Sequence, residues 1–456
     1  MKIAHAAIAL FLFVLLPLYA ATPEKEADTY LSGLLKKKSH PGFSILVSCD
    51  GKVLFNRSYG MADKKAKRPN KTDTPFRVGS ITKQFTAAAI LLLQERRKLE
   101  VTDSLTNYFP EWPNGNNITL HHLLTHTSGL YSYTSHPSFA VQVRKQVDMT
   151  SLIKSIQEKK VHFAPGEEMD YCNSGYLLLG LIVEMVSGKS YGEFLRAEFF
   201  EPLGMIQTGL HQKGKELKDE SLGYSKGLLG YKLANNWDMS WAGGAGALYS
   251  TTGDLHLWNE AVFGGKVLNK ESLKAAFSKV KLADESIEGY GYGWVIGNVN
   301  GKPDMPVISH GGGLEGFQSF LLRLPNQKYT IVALANSDSG YDLESMAAYL
   351  AGLWLEKVMA SQNTHPVNEN LIGKKYDDYV GRYDYGEAVL VVTRKNDQLF
   401  AKLGKQQRFE IFPITPDEFF WKIVEARVKF KRDANGNVHH AIHQQNGNTI
   451  KVPRLK

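Results

Sequence analysis

The sequence predicts a mixed α/β (α+β) protein in which helices flank an antiparallel sheet, an all-helical insertion interrupts that sheet, and a small antiparallel β-barrel follows. Strand patterns occur near residues 42–55 and return only at 290–335, with helical patterns between them. Strands and helices from both ends of one unit then close a single sheet around the insertion. From about residue 371 the pattern changes to short alternating strands at regular spacing, which is typical of a barrel or sandwich.

The length and composition predict a multidomain exported protein. The chain has 456 residues, 43% of them apolar, which is enough for two or three domains with a sizeable core. Lys2, an apolar run over 8–18 and the small residues Ala20 and Ala21 have the layout of a secretory signal peptide, with cleavage after Ala20. We therefore expect a signal peptide over 1–20, a main domain over 21–362, a barrel over 371–456, and a periplasmic or extracellular location. An uncleaved N-terminal anchor remains an alternative.

The order of the elements follows from periodicity and turn residues. Two β runs flank Asp50-Gly51, a pair typical of a hairpin turn. The loop at 163–166 precedes Tyr171, and the glycines at 243–246 lack phosphate-loop spacing, so we interpret them as sites of close backbone packing. The predicted helices cover 24–38, a run starting at Ser80, part of 131–165, 177–186, 252–263 and 343–359, and the predicted strands cover 42–48, 52–55, 290–294, 317–322 and 329–335, with a linker at 361–370.

Ser80 and Lys83 form the first candidate catalytic pair. A Gly and a Ser stand just before an apolar run of strong helix formers, so Ser80 lies at the first turn of a buried helix. Residues three apart share a helix face, which brings the Lys83 amine within reach of the Ser80 hydroxyl. The same spacing occurs at Ser151 and at Ser278, in polar, charged stretches. Spacing alone leaves a helix-capping serine beside a lysine as an equal alternative for Ser80.

Two further motifs favour catalysis. Tyr171-x-Asn173 is unique in the chain, and its two side chains face one cavity if the loop is extended. His310-Gly311-Gly312 follows at the start of the second group of strands. The ordered set resembles the serine β-lactamase and penicillin-binding protein superfamily, most closely the branch with class C β-lactamases, D-alanyl-D-alanine carboxypeptidases, D-aminopeptidases and esterases. The resemblance covers about 24–359, including the stretches at 124–130, 163–166 and 201–205, and the barrel is similar to a lipocalin-like domain.

The resemblance implies a role for each motif residue. Ser80 would be acylated, Lys83 and Tyr171 would handle its proton, and Asn173 would hold the substrate amide or ester. His310, Gly311 and Gly312 would bind substrate along one wall of the cleft, and the backbone N–H groups of Ser80 and Gly313 would form the oxyanion hole. A neutral lysine at pH 7 requires a pKa about three units below normal, or about 4 kcal/mol, which burial can supply.

One departure concerns the substrate. His310-Gly311-Gly312 stands where β-lactamases and carboxypeptidases mostly have Lys-Thr-Gly or Lys-Ser-Gly, so the cation for a substrate carboxylate is missing. The sequence therefore favours an exported serine hydrolase acting on esters, amides or D-amino acid peptides. The alternatives are a D-alanyl-D-alanine carboxypeptidase or β-lactamase and, in another class, a catalytically silent binder of cell-wall peptides.

No cofactor or metal is expected. His122 and His126 are four apart, but no acidic residue completes a site. Cys49 and Cys172 allow at most one disulfide, and a free buried thiol at Cys172 is favoured over a bridge. The net charge of +8 is concentrated beyond residue 371, on a pattern typical of solvated strands. We expect a small-molecule or peptide substrate, no nucleic acid, and peripheral contact with the cell envelope as an open possibility; the sequence leaves the oligomeric state open.

Overall fold

The structure is a computed structural model, which describes 22–38, 41–211, 217, 219–228, 230–299, 305–362, 371, 376–386, 388–404, 408–421, 426–445 and 448–455. The signal-peptide prediction, and most of the predicted linker at 361–370, lie outside these residues. In the part of the chain that is described, no helix combines the length and apolar character needed to cross a membrane.

Residues 22–362 contain twelve helices and fourteen strands among those described. The helices are α1 Pro23–Lys38, α2 Thr82–Glu95, α3 Leu120–Leu124, α4 Phe139–Gln142, α5 Met149–Gln157, α6 Asn173–Ser187, α7 Tyr191–Leu195, α8 Glu201–Leu203, α9 Gly243–Gly246, α10 Thr252–Phe263, α11 Lys270–Ala276 and α12 Leu343–Gln362. The strands are β1 Gly42–Cys49, β2 Lys52–Asp63, β3 Arg68–Pro69, β4 Phe76–Arg77, β5 Gly209–Leu210, β6 Tyr224–Gly227, β7 Gly230–Leu233, β8 Leu248–Ser250, β9 Val280–Lys281, β10 Ile287–Glu288, β11 Val295–Asn298, β12 Pro306–Leu314, β13 Phe317–Leu324 and β14 Tyr329–Ala335.

The central sheet has seven strands in the order β11-β12-β13-β14-β1-β2-β3, and every pairing is antiparallel. β14 pairs with β1, so strands from the two ends of this unit meet at the middle of the sheet. The long stretch from β4 to α11 lies between them in sequence and is mostly helical. The predicted fold class, with its helical insertion, is confirmed.

Two hydrophobic cores cover the two faces of the sheet. α1 and α12 pack on one face, where Leu31 and Leu350 are fully buried. The other face meets α10, and beyond it lies the larger core that buries α2 and α6. Because α2 is buried on nearly all sides, its N-terminal turn is held firmly relative to the sheet. This rigid placement matters for the site described below.

Several local predictions can be compared directly. The hairpin turn is confirmed, since Asp50 and Gly51 both have positive φ, as a two-residue hairpin turn requires. Three boundaries were wrong. Asn173 is the first residue of α6, so the extended loop ends at Cys172. The strand predicted at 290–294 instead lies at Val295–Asn298, and α12 continues to Gln362, so the helix occupies the first two residues of the predicted linker.

The C-terminal unit is a nearly closed eight-stranded antiparallel barrel. Its strands are β15 Gly381–Asp384, β16 Val389–Lys395, β17 Gln398–Leu403, β18 Phe409–Thr415, β19 Glu418–Phe420, β20 Ala426–Arg432, β21 Val438–Gln445 and β22 Asn448–Pro453. They pair in sequence order, and a bridge between Tyr383 and Arg454 brings the first strand to the last. Tyrosine, phenylalanine and aliphatic side chains fill the interior. The predicted small antiparallel barrel is therefore present.

Candidate active site

Ser80 lies in a 3₁₀ turn, Gly79–Ile81, that leads directly into α2. Gly79 has a φ of 51°, a conformation that favours glycine, and a Cβ atom there would lie 2.9 Å from the backbone nitrogen of Gly313. The turn can thus approach β12 only because residue 79 has no side chain. Ser80 itself is half-buried, so its hydroxyl remains accessible from the cleft.

Lys83 is completely buried, one helical turn after Ser80. Its Nζ lies 2.9 Å from Ser80 Oγ, 2.8 Å from Asn173 Oδ1 and 2.8 Å from the carbonyl oxygen of Ala245. A charged amine can donate to all three oxygens. A neutral amine can donate to the two carbonyl groups and still accept the hydroxyl proton of Ser80. The same contacts therefore suit the amine before and after it takes up a proton.

Burial lowers the pKa of Lys83 from 10.5 to about 7, although the nearby Cys172 thiol acts in the opposite direction. Desolvation disfavours the charged amine, and no carboxylate is among its direct contacts within the described residues. A substantial fraction of Lys83 is then neutral at physiological pH. Lys83 can therefore act as a base near pH 7.

Tyr171 and Asn173 both approach Lys83, although Asn173 is helical and not on an extended loop. The Lys83 Nζ lies 4.9 Å from the centre of the Tyr171 ring. Although Tyr171 is 39% exposed, desolvation around its hydroxyl raises the pKa of the phenol, while its interaction with Ser80 acts in the opposite direction, so the phenol keeps its proton at neutral pH. Asn173 is oriented by Thr134, whose hydroxyl accepts from Asn173 Nδ2 at 3.1 Å. Ser80, Lys83, Tyr171 and Asn173 therefore meet in one place.

His310 is held by protein groups at both ring nitrogens. Its Nδ1 lies 2.6 Å from the carbonyl oxygen of Gly311, which can only accept, so Nδ1 carries the proton. Its Nε2 then accepts from the Tyr290 hydroxyl at 2.8 Å. Burial, together with repulsion from Lys83, lowers the pKa of His310 to about 3. The ring is 3% exposed and neutral, and both of its hydrogen-bonding positions are taken.

The glycines after His310 permit β12 to lie against the serine turn. A Cβ atom on Gly312 would be 2.2 Å from the Val78 carbonyl oxygen and 3.0 Å from the Ser80 backbone nitrogen. A Cβ atom on Gly79 would lie 2.9 Å from the Gly313 nitrogen, which is closer than a normal van der Waals contact. The backbone amides of Ser80 and Gly313 therefore lie on two segments in very close contact, beside the Ser80 hydroxyl.

A cleft opens beside Ser80. Several of its walls were not anticipated from the sequence. Tyr133 and Trp237 supply aromatic surface, Leu314 supplies aliphatic surface, and Ala245 supplies both wall and a carbonyl contact to Lys83. The signal for Ala245 was the glycine-rich stretch, whose close packing is confirmed: a Cβ on Gly244 would lie 2.9 Å from the Cα of Gly180.

The other sequence candidates lie elsewhere. Ser151 lies in the first turn of the amphipathic helix α5 and is exposed, while Ser278 follows α11 and donates to the Lys274 carbonyl oxygen. Cys49 and Cys172 are both free thiols. His122 accepts from the Thr119 backbone N–H through Nδ1. No group of three or more potential metal ligands occurs among the residues that the structure describes.

Comparison with known proteins identifies the family. Residues 27–353 match the family model described as Beta-lactamase. The chain belongs to the beta-lactamase family. This family includes D-amino acid amidases and penicillin-binding proteins, and the chain is accordingly a serine hydrolase. Residues 367–451 match a second model, a domain of unknown function designated DUF3471, so a lipocalin-like assignment of the barrel stays a prediction.

Three relatives show how far this beta-lactamase family member resembles characterised proteins. Penicillin-binding protein 4* of Bacillus subtilis is 29% identical over 432 residues, covering 89% of this chain and 93% of the relative. A D-stereospecific amidohydrolase from Streptomyces sp. superposes with a TM-score of 0.62 at 25% identity, covering 71% of this chain and 97% of that one. An octameric penicillin-binding protein homologue from Pyrococcus abyssi shares the fold at 24% identity and a TM-score of 0.64, covering 94% and 98%.

Proposed function

We propose that the protein is an exported hydrolase that cleaves ester or amide bonds through an acyl-enzyme on Ser80. The observation that carries the proposal is the Lys83 amine, fully buried with a pKa lowered to about 7 by desolvation and 2.9 Å from Ser80 Oγ. A hydroxyl is a weak nucleophile until an adjacent base removes its proton. Lys83 is the nearest group that can be such a base at neutral pH.

The proton then has a short route to the leaving group. As Ser80 Oγ attacks the carbonyl carbon, its proton moves to Lys83 Nζ, which keeps its contacts with Asn173 and Ala245. Tyr171 remains a phenol, because burial raises the pKa of its hydroxyl, and it interacts with Ser80. In this scheme Tyr171 passes a proton to the departing amine or alcohol and recovers one from Lys83. Water later attacks the ester at Ser80 by the reverse path.

Negative charge develops on the carbonyl oxygen during both steps. We assign its stabilisation to the backbone N–H groups of Ser80 and Gly313, which lie on the two segments that Gly79 and Gly312 bring into contact. Removal of one such donor typically costs about 10²- to 10³-fold in kcat. Because these donors belong to the backbone, the glycines at 79 and 312 are the positions at which substitution would disturb them.

The surroundings of His310 favour substrates without a carboxylate beside the scissile bond. Its pKa is lowered to about 3 by burial and by Lys83, and both nitrogens are bonded to Gly311 and Tyr290. It can therefore offer neither a charge nor a free N–H group to a substrate. This changes the expectation that His310 hydrogen-bonds the substrate directly: in the proposal the β12 backbone at Gly311 and Gly312 makes that contact instead.

The cleft favours a compact acyl group. Its walls include the bulky side chains of Tyr133, Trp237 and Leu314, which leave little space beside Ser80. Beyond Leu314, an ion pair of 2.5 Å joins Glu315 to Arg144. We propose short esters and D-amino acid amides or peptides as the substrate class, which accords with the name of the Streptomyces amidohydrolase.

A side-by-side panel of kcat/KM tests the substrate class. It contains a short-chain p-nitrophenyl ester, a D-amino acid amide, a D-alanyl-D-alanine peptide and nitrocefin. The ester and the amide should lead. A lead of tenfold or more for nitrocefin or the D-alanyl-D-alanine peptide requires only about 1.4 kcal/mol of preferential transition-state binding, and it would reverse the assignment in favour of a β-lactamase or carboxypeptidase.

The competing proposal is a silent binder of cell-wall peptides. A binder does not need a buried lysine with a lowered pKa, which is an arrangement that costs stability. Labelling with a fluorophosphonate and with a fluorescent penicillin separates the two, with Ser80→Ala as the control. A wild-type protein that forms no adduct with either reagent but binds muropeptides would support the binder.

A further inference from the structure

His126 is the best-placed residue outside the predicted catalytic set. It follows α3 with a φ of 61°, in the left-handed region that non-glycine residues seldom adopt. It is also 1% exposed, although it is a polar side chain. A left-handed position after a helix ordinarily takes glycine or asparagine, so the imidazole itself calls for an explanation.

The contacts of His126 converge on Tyr171. The backbone N–H of Asp170 donates to the His126 carbonyl oxygen at 3.0 Å, and that of Cys172 donates to His126 Nδ1 at 3.0 Å. The imidazole ring lies 4.2 Å from the Tyr171 ring, centre to centre. His126 therefore accepts hydrogen bonds from the backbone on both sides of Tyr171 and also packs against the Tyr171 ring.

The imidazole also packs against a second tyrosine ring. The Tyr290 ring, which holds His310 through its hydroxyl, lies 4.7 Å from the His126 ring. Since Nδ1 accepts a hydrogen bond, the neutral ring carries its proton on Nε2, which is buried without a hydrogen-bond partner among the described residues. A buried donor without a hydrogen-bond partner costs stability, and an apolar side chain would fill the same space without that cost. The imidazole therefore calls for an explanation other than core packing.

Charge at His126 would undo this arrangement. Burial, with repulsion from Lys83 and from His310, lowers the pKa of His126 well below its ordinary value. Protonation at Nδ1 would remove the acceptor for the Cys172 N–H and would place a second cation near Lys83. The geometry requires a neutral ring with a free lone pair on Nδ1.

We propose that His126 is a positioning residue: it fixes the Tyr171 hydroxyl relative to Ser80 and Lys83 by holding the backbone of Asp170 and Cys172 and by packing against the Tyr171 ring. This inference rests on the proposed role of Tyr171 in proton transfer. His126 touches no substrate atom and acts only through Tyr171. Displacement of a catalytic group by about 1 Å can cost about 10²-fold in rate, so the effect is measurable.

A double-mutant cycle with Tyr171→Phe tests the proposal on the full chain. His126→Phe keeps a ring but removes the Nδ1 acceptor, and it should lower kcat for a p-nitrophenyl ester about 10- to 100-fold with KM changed less than about twofold. In the Tyr171→Phe background the same substitution should change kcat by less than about twofold, because the group that it positions is gone. His126→Asn keeps a short acceptor and tolerates the positive φ, so it should recover part of the loss and serves if the phenylalanine variant folds poorly.

His122→Phe is the matched control, since His122 also accepts a backbone N–H through Nδ1, but from Thr119. It should leave kcat within about twofold, whatever its effect on Tm. If the losses at His126 and Tyr171 multiply, or if His126→Phe lowers Tm without lowering kcat, His126 is a structural residue and the proposal is overturned. If Tyr171→Phe retains full activity, the proposed proton path fails first, and the role of His126 fails with it.

Discussion

The lowered pKa of Lys83 leads to a prediction about stability that does not depend on knowing the substrate. A shift from 10.5 to about 7 corresponds to about 5 kcal/mol by which the folded protein disfavours the charged amine. The unfolded chain therefore binds more protons than the folded chain between about pH 7 and pH 10.5. Stability must rise with pH in this window, because unfolding takes up a proton.

The substitution Lys83→Met isolates this effect. Methionine keeps most of the buried volume but cannot be charged, and the loss of contacts to Ser80, Asn173 and Ala245 is nearly independent of pH. The difference in unfolding free energy, wild type minus variant, should be flat below about pH 6 and should rise by about 2 kcal/mol from pH 7 to pH 9. Below pH 7 the variant gains stability from removal of the buried charge and loses some from the unpaired oxygens.

Urea unfolding at pH 6, 7, 8 and 9 measures this difference, with equal m-values as a requirement. Tryptophan fluorescence suits the measurement because, of the seven tryptophans, only Trp421 lies beyond residue 362. Lys154→Met is the control, since Lys154 is an exposed lysine with the same spacing from a serine. A difference that stays constant between pH 7 and 9, within the error of the extrapolation, would mean that Lys83 is charged throughout and would refute the lysine-base argument.

Further predictions concern activity. Ser80→Ala should lower turnover by about 10⁴- to 10⁶-fold, and retained activity in this variant would contradict the assignment of the nucleophile. In the wild type, kcat/KM should rise with pH through about 7 as the Lys83 amine loses its proton, and a flat pH profile would contradict the role of Lys83 as the base. Glu315 follows the cleft residue Leu314 and pairs with Arg144. If this ion pair limits the length of the acyl group, Glu315→Gln should let each added acyl methylene gain up to about fourfold in kcat/KM. Glu198→Gln, in the ion pair with Arg96, is the control, and equal chain-length profiles for wild type and Glu315→Gln would show that the Glu315–Arg144 pair does not limit the acyl group. A chain ending at Gln362 should fold and cleave the smallest ester; a folded but inactive product would show that the barrel completes the site.

The sequence was a good guide to the fold where periodicity and turn chemistry were strong. Asp50 and Gly51 form the predicted hairpin turn. α10 begins at Thr252 and ends at Phe263, the same residues that its helical pattern predicted. The apolar run after Ser80 required a buried helix, and a buried helix fixes the direction of Lys83. In these cases short-range physics decides the outcome, so one sequence is sufficient.

The parts that the sequence did not indicate depend on contacts between distant segments. The Ala245 carbonyl contacts Lys83 from 162 residues away, and the Thr134 hydroxyl orients Asn173 from 39 residues away. Alanine and threonine carry no motif that would reveal these roles. His126 was considered as a metal ligand because of its four-residue spacing from His122, and the resemblance of the stretch 124–130 to the family gave it no individual role.

The position of His310 connects the stability of the site to its chemistry. Lys83, His126 and His310 lie close enough that the charge on Lys83 lowers the pKa of both histidines. Neither histidine carries a charge at neutral pH, so Lys83 is the only one of the three whose charge changes near pH 7. A permanent cation at position 310 would repel the protonated amine and lower its pKa further. A neutral histidine, held by Gly311 and Tyr290, leaves the pKa of Lys83 near 7. The same neutral ring also lacks the charge that would attract a substrate carboxylate.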